Sequence, residues 1–213
     1  PVLRIGNPTR VNDKMLSSTY ERRFESHPAY PELWGIRKSI REMGSRMRRG
    51  SYSEREGMRN RMSRLRDRAT ELEIQINEDL FSGARVIAST LVSSNHRILT
   101  GRRFTTLFID EAAQALEAAC WIAIRKADRV IFAGDHCQLP PTIKCIEAAR
   151  NGLEQTLMEK VAANKQETVS LLKVQYRMHQ SIMQFSSEWF YQGELQAAPE
   201  EVGGQAVLGR QVS

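Results

Sequence analysis

Phe104-Thr-Thr-Leu-Phe-Ile109 runs straight into Asp110-Glu111-Ala112-Ala113-Gln114. The first six residues have the composition of a strand, and two adjacent acids end it. The Ala-rich stretch from Ala112 to Arg125 reads as the helix that follows. Similar units lie on both sides. Arg85 to Thr90 predicts a buried strand, Arg129 to Ala133 a third, ending in Gly134-Asp135, and Thr168 to Leu172 a fourth. Asn151 to Ala163 and Met178 to Tyr191 read as helices, and Val2 to Ile5 as a short strand before a Gly6-Asn7-Pro8 turn. Strands alternating with helices, with polar residues at the strand ends, predict an α/β fold built on a parallel sheet. In such sheets chemistry gathers at the carboxyl ends of the strands.

Three strand ends carry groups suited to phosphoryl chemistry. A strand-terminal Asp such as Asp110 holds magnesium in enzymes that hydrolyse nucleoside triphosphates. A neighbouring Glu, here Glu111, can accept the proton of an attacking water. Alone, a strand followed by Asp-Glu is structural more often than catalytic. The second end is Gly134-Asp135-His136-Cys137-Gln138-Leu139-Pro140-Pro141-Thr142. Gly134 permits a sharp turn, the Gln138 amide can sense a phosphate oxygen or a water, and the prolines stiffen the exit. The third is Gln175-Tyr176-Arg177-Met178-His179, which sets an Arg beside a helix start, where it could neutralise charge on a transferring phosphoryl group.

The charge is as unevenly placed as the motifs. Between Leu33 and Thr70 stand twelve Arg or Lys against four Asp or Glu, a net of +8. With a formal charge of +6 for the whole chain, −2 remains for everything else. Eleven of the twelve are Arg, whose planar fork matches phosphate. The same region has helical apolar spacing: Ile36, Ile40, Met43 and Met47, then a Gly50-Ser51 break, then Met58, Met62, Leu65, Ala69, Leu72 and Ile76. Ser53 with Glu56 reads as a capping box opening the second helix. An antiparallel helical hairpin with its arginines outward follows. A basic run is a solvated helix face about as often as a nucleic-acid surface. Tyr20, Tyr30, Trp34 and Tyr52 could stack on bases or anchor the hairpin.

The ordered set Asp110-Glu111-Ala112-Ala113-Gln114, Gly134 to Pro141 and Gln175 to His179 resembles motifs II, III and IV of superfamily 1 helicases. The likeness is to the branch containing the regulator of nonsense transcripts, senataxin and the immunoglobulin mu-binding helicase. Arg4 to Val11 resembles that branch's motif Ib, and Ala88-Ser89-Thr90-Leu91 its motif Ic. The resemblance implies a partial first RecA-like domain over residues 1–11 and 83–170. It implies an inserted basic hairpin over 12–82 and the start of a second RecA-like domain over 171–213. It further implies ATP and Mg2+ as ligands, Asp110 positioning the metal, Glu111 activating water, Gln138 coupling the γ-phosphate to the strand path and Arg177 contacting the γ-phosphate. Arg10, Thr90, Ser93, Pro141 and Thr142 are implied at the strand groove, with Arg46, Arg48 and Arg49 on the hairpin. The partner that the resemblance implies is single-stranded DNA or RNA.

The chain also departs from the family. No G-x-x-x-x-G-K-[ST] occurs in it, so the loop that cradles the β- and γ-phosphates is missing. Motifs V and VI are absent as well, and the chain reads as the middle of a helicase. Without the strand that carries the phosphate loop, open sheet edges are expected, filled by self-association, a rearranged strand or a partner fragment. Negligible ATPase activity from the chain alone is expected. The rival reading is a nucleotide-independent nucleic-acid-binding or protein-interaction module.

Hydrophobic residues make up 41% and charged residues 26%, a globular composition. No apolar run approaches the ~20 residues of a membrane helix. Three cysteines without framework spacing fit a reducing compartment, the cytoplasm or a nucleus. His136, Cys137 and Cys145 supply three metal-ligand types with no fourth nearby, which argues against zinc. Cys120 reads as core, His27 and His96 as surface, His179 as a helix start, and Trp189, Phe190 and Tyr191 as packing a helix end.

Overall fold

A computed structural model of the chain describes residues 1–7, 9, 11–47 and 52–198. Arg10, Arg48 and Arg49 lie outside the described residues. The chain divides into two compact units, one of residues 1–105 and 122–128, the other of 106–121 and 129–213. No helix among the described residues is long and apolar enough to cross a membrane.

In the first unit, β1 (Val2–Ile5) pairs in parallel with β2 (Val86–Ser89), Leu3 opposite Ile87 and Ile5 opposite Ser89. Leu3 and Ile5 are buried, as strand alternation requires of one inward face. Between these strands come α1 (Asp13–Leu16), α2 (Tyr20–Glu25), α3 (Tyr30–Met47) and α4 (Tyr52–Ser82). The last two pack against each other. Only four residues separate them, too few to carry the chain back along an 18-residue helix, so they run antiparallel. The apolar stripe behaves as its spacing predicts. Met62, Ala69, Leu72 and Ile76 are buried, and the last three form a core with Leu33 and Phe24. Because α4 begins at Tyr52, Ser53 lies inside the helix and is not its cap.

β3 (Phe104–Ile109) pairs with β4 (Ala127–Phe132), with α5 (Glu117–Ile124) between them. The Phe104 amide donates to Lys126 O and the Ala133 amide to Ile109 O, so the two strands run in the same direction. In the second unit follow α6 (Ile146–Ala148), α7 (Leu157–Asn164), β5 (Val174–Gln175), α8 (Gln180–Phe190) and β6 (Gln196–Ala197), with β5 parallel to β6.

The α/β character and parallel pairing are as expected, but the continuous sheet is not. The described strands form three two-stranded sheets. Each has one strand partner, β1 adding a single bridge from Arg4 to Thr19, and apolar residues stay open: Val86 is 53% exposed and Phe108 69%. Thr168 to Leu172 is not a strand. It pairs with none of the described strands, and Leu172 is 87% exposed. The helix expected over 112–125 is broken: residues 112–114 form a 3-10 turn, Ala115 is extended, and α5 starts at Glu117. The one expected from Asn151 is interrupted by Gly152 at φ 96° and restarts only at α7. A true capping box makes that restart. Thr156 Oγ1 accepts from the Glu159 amide at 3.2 Å, and the Thr156 amide donates to Glu159 Oε2 at 2.7 Å.

Candidate functional site

The second unit gathers motifs II, III and IV. At the end of β3 the chain reverses on Glu111, whose φ of 52° is left-handed, a conformation rare for a residue with a Cβ. The Glu111 amide donates to Asp110 Oδ1 at 3.1 Å, leaving Asp110 Oδ2 free of hydrogen bonds among the described residues. Both carboxylates are exposed. Gln114 Nε2 reaches Glu111 Oε2 at 3.5 Å.

Motif III is pressed directly onto that turn. The Ala112 amide donates to Ala133 O at 2.9 Å. A Cβ on Gly134 would lie 2.9 Å from the amide nitrogens of both Ala112 and Ala113 and 3.1 Å from Met158 Sδ. Gly134 is therefore required for the close backbone approach and not for its φ, which is not positive. The next residue, Asp135, organises the loop. It accepts from the Cys137 amide at 3.0 Å, from Gln138 Nε2 at 2.7 Å and from the Tyr191 hydroxyl. Partial burial of Asp135 opposes its ionisation, but the hydrogen bonds from Tyr191 and Gln138 outweigh it and hold the carboxyl below the usual range. Burial, then the bond to Asp135 and its charge, push the Tyr191 phenol well above its ordinary value. Burial and the charge of Asp135 likewise raise the Cys137 thiol. Asp135, His136 and Cys137 bring three ligand types within 4.8 Å of one another. Both Asp135 oxygens already accept hydrogen bonds, and Cys145 is not part of the group.

Motif IV is a tight turn built by Gln175. Its Oε1 accepts from the amides of Arg177 at 2.9 Å and Met178 at 2.7 Å, while its Nε2 donates to Met178 O at 2.7 Å. His179 then caps α8, its Nδ1 accepting from the Ser181 amide at 3.2 Å. This arrangement leaves Arg177 exposed, with no ion-pair partner among the described residues. Pro141 is buried and Thr142 exposed, so of the two only Thr142 offers surface to a ligand.

The first unit brings motifs Ib and Ic together, because β1 and β2 are parallel and end side by side. A Cβ on Gly6 would lie 3.7 Å from Ser93 Oγ. Thr90 Oγ1 donates to Ser93 Oγ at 2.8 Å and accepts from the Ser93 amide at 3.2 Å. Asn7 Oδ1 accepts from the Thr9 amide and hydroxyl. Gly6, Asn7 and Ser93 border an open cleft of about 540 Å³ together with Tyr20, Glu21 and His96. Arg46 is exposed on α3.

Sequence reading missed the roles of Asp135 and Tyr191. Tyr191 lies 56 residues from its partner, with no local signal to mark it. It also placed Trp189 and Phe190 in packing, whereas both are more than half exposed. His27 is not a surface residue: it is partly buried, with Nε2 3.2 Å from Asp79 Oδ2 and Nδ1 accepting from the Ala29 amide. Cys120 is buried, as expected of core.

Family models described as AAA domain match residues 1–145 and 153–209. The chain thus belongs to the superfamily 1 helicases with AAA domains, a family of nucleotide-binding proteins. It is 34% identical over 95% of its length to the DNA-binding protein SMUBP-2 of Rattus norvegicus, covering 21% of that protein. An uncharacterized ATP-dependent helicase of Methanocaldococcus jannaschii is 30% identical over 92% of the chain, which covers 34% of it. The regulator of nonsense transcripts 1 homolog of Drosophila melanogaster is 38% identical over 61% of the chain, which covers 11% of it. The chain thus spans between 11% and 34% of the length of these relatives.

Proposed function

We propose that the chain is the water-activating and coupling part of an ATP-driven helicase that moves along single-stranded DNA or RNA. The observation that carries this reading is the contact of Gly134 with the turn after Asp110-Glu111. It joins the carboxylates to the loop that holds Gln138. Asp110 and Glu111 are hard oxygen donors, exposed and outside any ion pair among the described residues, which fits magnesium. Bound there, the ion would offset negative charge on the phosphates of ATP.

The residues divide the remaining work. Asp110 would hold the metal. Glu111 would accept the proton of the attacking water as its oxygen bonds to the γ-phosphorus and the bond from that phosphorus to the β–γ bridging oxygen breaks, releasing ADP. Gln138, oriented by Asp135, would read the γ-phosphate, and Arg177 would face the charge on the transferring group. The cleft beside Thr90 and Ser93 would take the strand backbone, and Arg10 and Thr142 are further proposed contacts. The domain divisions read from the sequence belong to the same proposal, as do a cytoplasmic or nuclear setting and association of the chain with itself through its open apolar faces.

The test is steady-state hydrolysis of magnesium–ATP by a longer chain with a G-x-x-x-x-G-K-[ST] loop ahead of residue 1. Glu111→Gln is expected to lower turnover about 10²- to 10⁴-fold. Unchanged turnover would sink the assignment. A second reading, a nucleotide-independent binding module, is favoured by one observation: Arg41, Arg46, Arg59 and Arg66 are all exposed.

A further inference from the structure

The ion pairs of the α3–α4 hairpin are not spread evenly. Arg37 donates to Glu73 at 2.6 Å, and Arg68 to Glu32 at 2.9 Å and Glu71 at 3.3 Å. These neutralise the half of the hairpin near the ends of α3 and α4 that meet the rest of the unit. Toward the connection between the helices, Lys38, Arg41, Arg59 and Arg66 are exposed and have no ion-pair partner among the described residues.

Helix geometry places these four on one face. At about 100° per residue, Trp34, Lys38 and Arg41 share one flank of the α3 stripe, as does Arg37. On α4, Arg59 and Arg66 share a flank with Glu73. The Arg37–Glu73 ion pair shows that these flanks adjoin. The other ion pair, Arg68–Glu32, marks the opposite face, where Arg61 and Arg64 stand. The first face also carries an aromatic residue. Trp34 is 48% exposed, and Lys38 Nζ sits 5.5 Å from its ring centroid. An exposed indole is poorly suited to solvent, and beside free cations it offers a base-stacking surface next to phosphate contacts.

We infer that the Trp34–Lys38–Arg41–Arg59–Arg66 face binds single-stranded nucleic acid, with a base stacked on Trp34 and phosphates on the four cations. This rests on the strand-binding half of the function proposed above and not on the ATPase half. The test contains neither nucleotide nor magnesium, so its failure leaves the role of Glu111 standing.

The probe is a fluorescein-labelled oligothymidylate of about 15 nucleotides, followed by anisotropy from roughly 50 to 200 mM salt. Four phosphate contacts to a single strand contribute about 0.7 each to the slope of log K against log salt. The variant K38A/R41A/R59A/R66A is expected to flatten that slope by about 3, and R61A/R64A to leave it unchanged. Trp34→Ala is expected to weaken binding about tenfold at unchanged slope, while Trp34→Phe retains most of the affinity. All five side chains lie at the surface, so the variants should keep the parent's far-ultraviolet circular dichroism. Equal flattening by both arginine variants, an unaffected Trp34→Ala, or no binding at low salt would overturn the inference. So would equal competition by polyglutamate, which would point to an acidic protein partner.

Discussion

Adding a single methyl group at Gly134 asks whether motif III truly lies against the turn after Asp110-Glu111. The new Cβ would sit 2.9 Å from two amide nitrogens and 3.1 Å from Met158 Sδ. Ordinary contacts begin near 3.4 Å, so the loop must retreat by about half an ångström. Met158 can swing aside, but the two nitrogens belong to the backbone, and one of them holds the 2.9 Å bond to Ala133 O. Overpacking of this kind costs about 1–3 kcal/mol. In a chain of this size that lowers the melting temperature by about 3–10 °C. Gly35→Ala provides the opposite sign. Nothing lies within 4 Å of its added Cβ, and it stands inside α3, so the change should stabilise by about 0.5–1 kcal/mol. Scanning calorimetry of the two variants beside the parent checks both signs. A Gly134→Ala protein melting at or above the parent would refute the close approach, and with it the structural basis for joining motifs II and III.

Other expectations concern the loop anchor and the hairpin core. Tyr191→Phe removes one hydrogen bond from the Asp135 carboxylate, at a cost of about 1.5–3 kcal/mol near neutral pH. The folded pKa of Asp135 is depressed, so its contribution is present above the unfolded pKa and is lost as pH falls through the folded one. The gap between Tyr191→Phe and parent in urea melts should therefore narrow on acidification, and a pH-independent gap would exclude a charged partner. Leu72→Ala empties a fully enclosed site between α3 and α4 and should cost about 2–5 kcal/mol, read from the same melts. Sedimentation of the chain is expected to show dimers or larger species, since Phe108, Leu172 and Trp189 leave large apolar surfaces uncovered. A monodisperse monomer would count against self-association.

Much of the local structure was legible in the sequence. The stripe from Met58 to Ile76 has a period that only a helix satisfies, and three of the residues it selects, Ala69, Leu72 and Ile76, pack with Leu33 and Phe24. β1, β3 and β4 announced themselves by apolar runs ending at turn residues or acids. The failures have a common cause. Thr168 to Leu172 has strand composition, yet a strand exists only where it pairs with another, and this segment pairs with none of the described strands. Ala112 to Arg125 has helical composition, yet Glu111 leaves β3 in a left-handed conformation and the chain needs a tight turn before a helix can start.

The candidate site divides along the same line. Sequence alone determined the chemical groups: two carboxylates after a strand, a glycine and a glutamine in the next strand-end loop, and an arginine before a helix. It determined the concentration of arginine in the hairpin as well, because composition and spacing are local properties of the chain. Only the tertiary structure decided that Gly134 touches Ala112 and Ala113. Only it decided that Tyr191 and Gln138 converge on Asp135, and which arginines of the hairpin are neutralised and which stay free. Those outcomes depend on distances between residues far apart in the chain, and spacing along a sequence carries no measure of such distances until the backbone has folded.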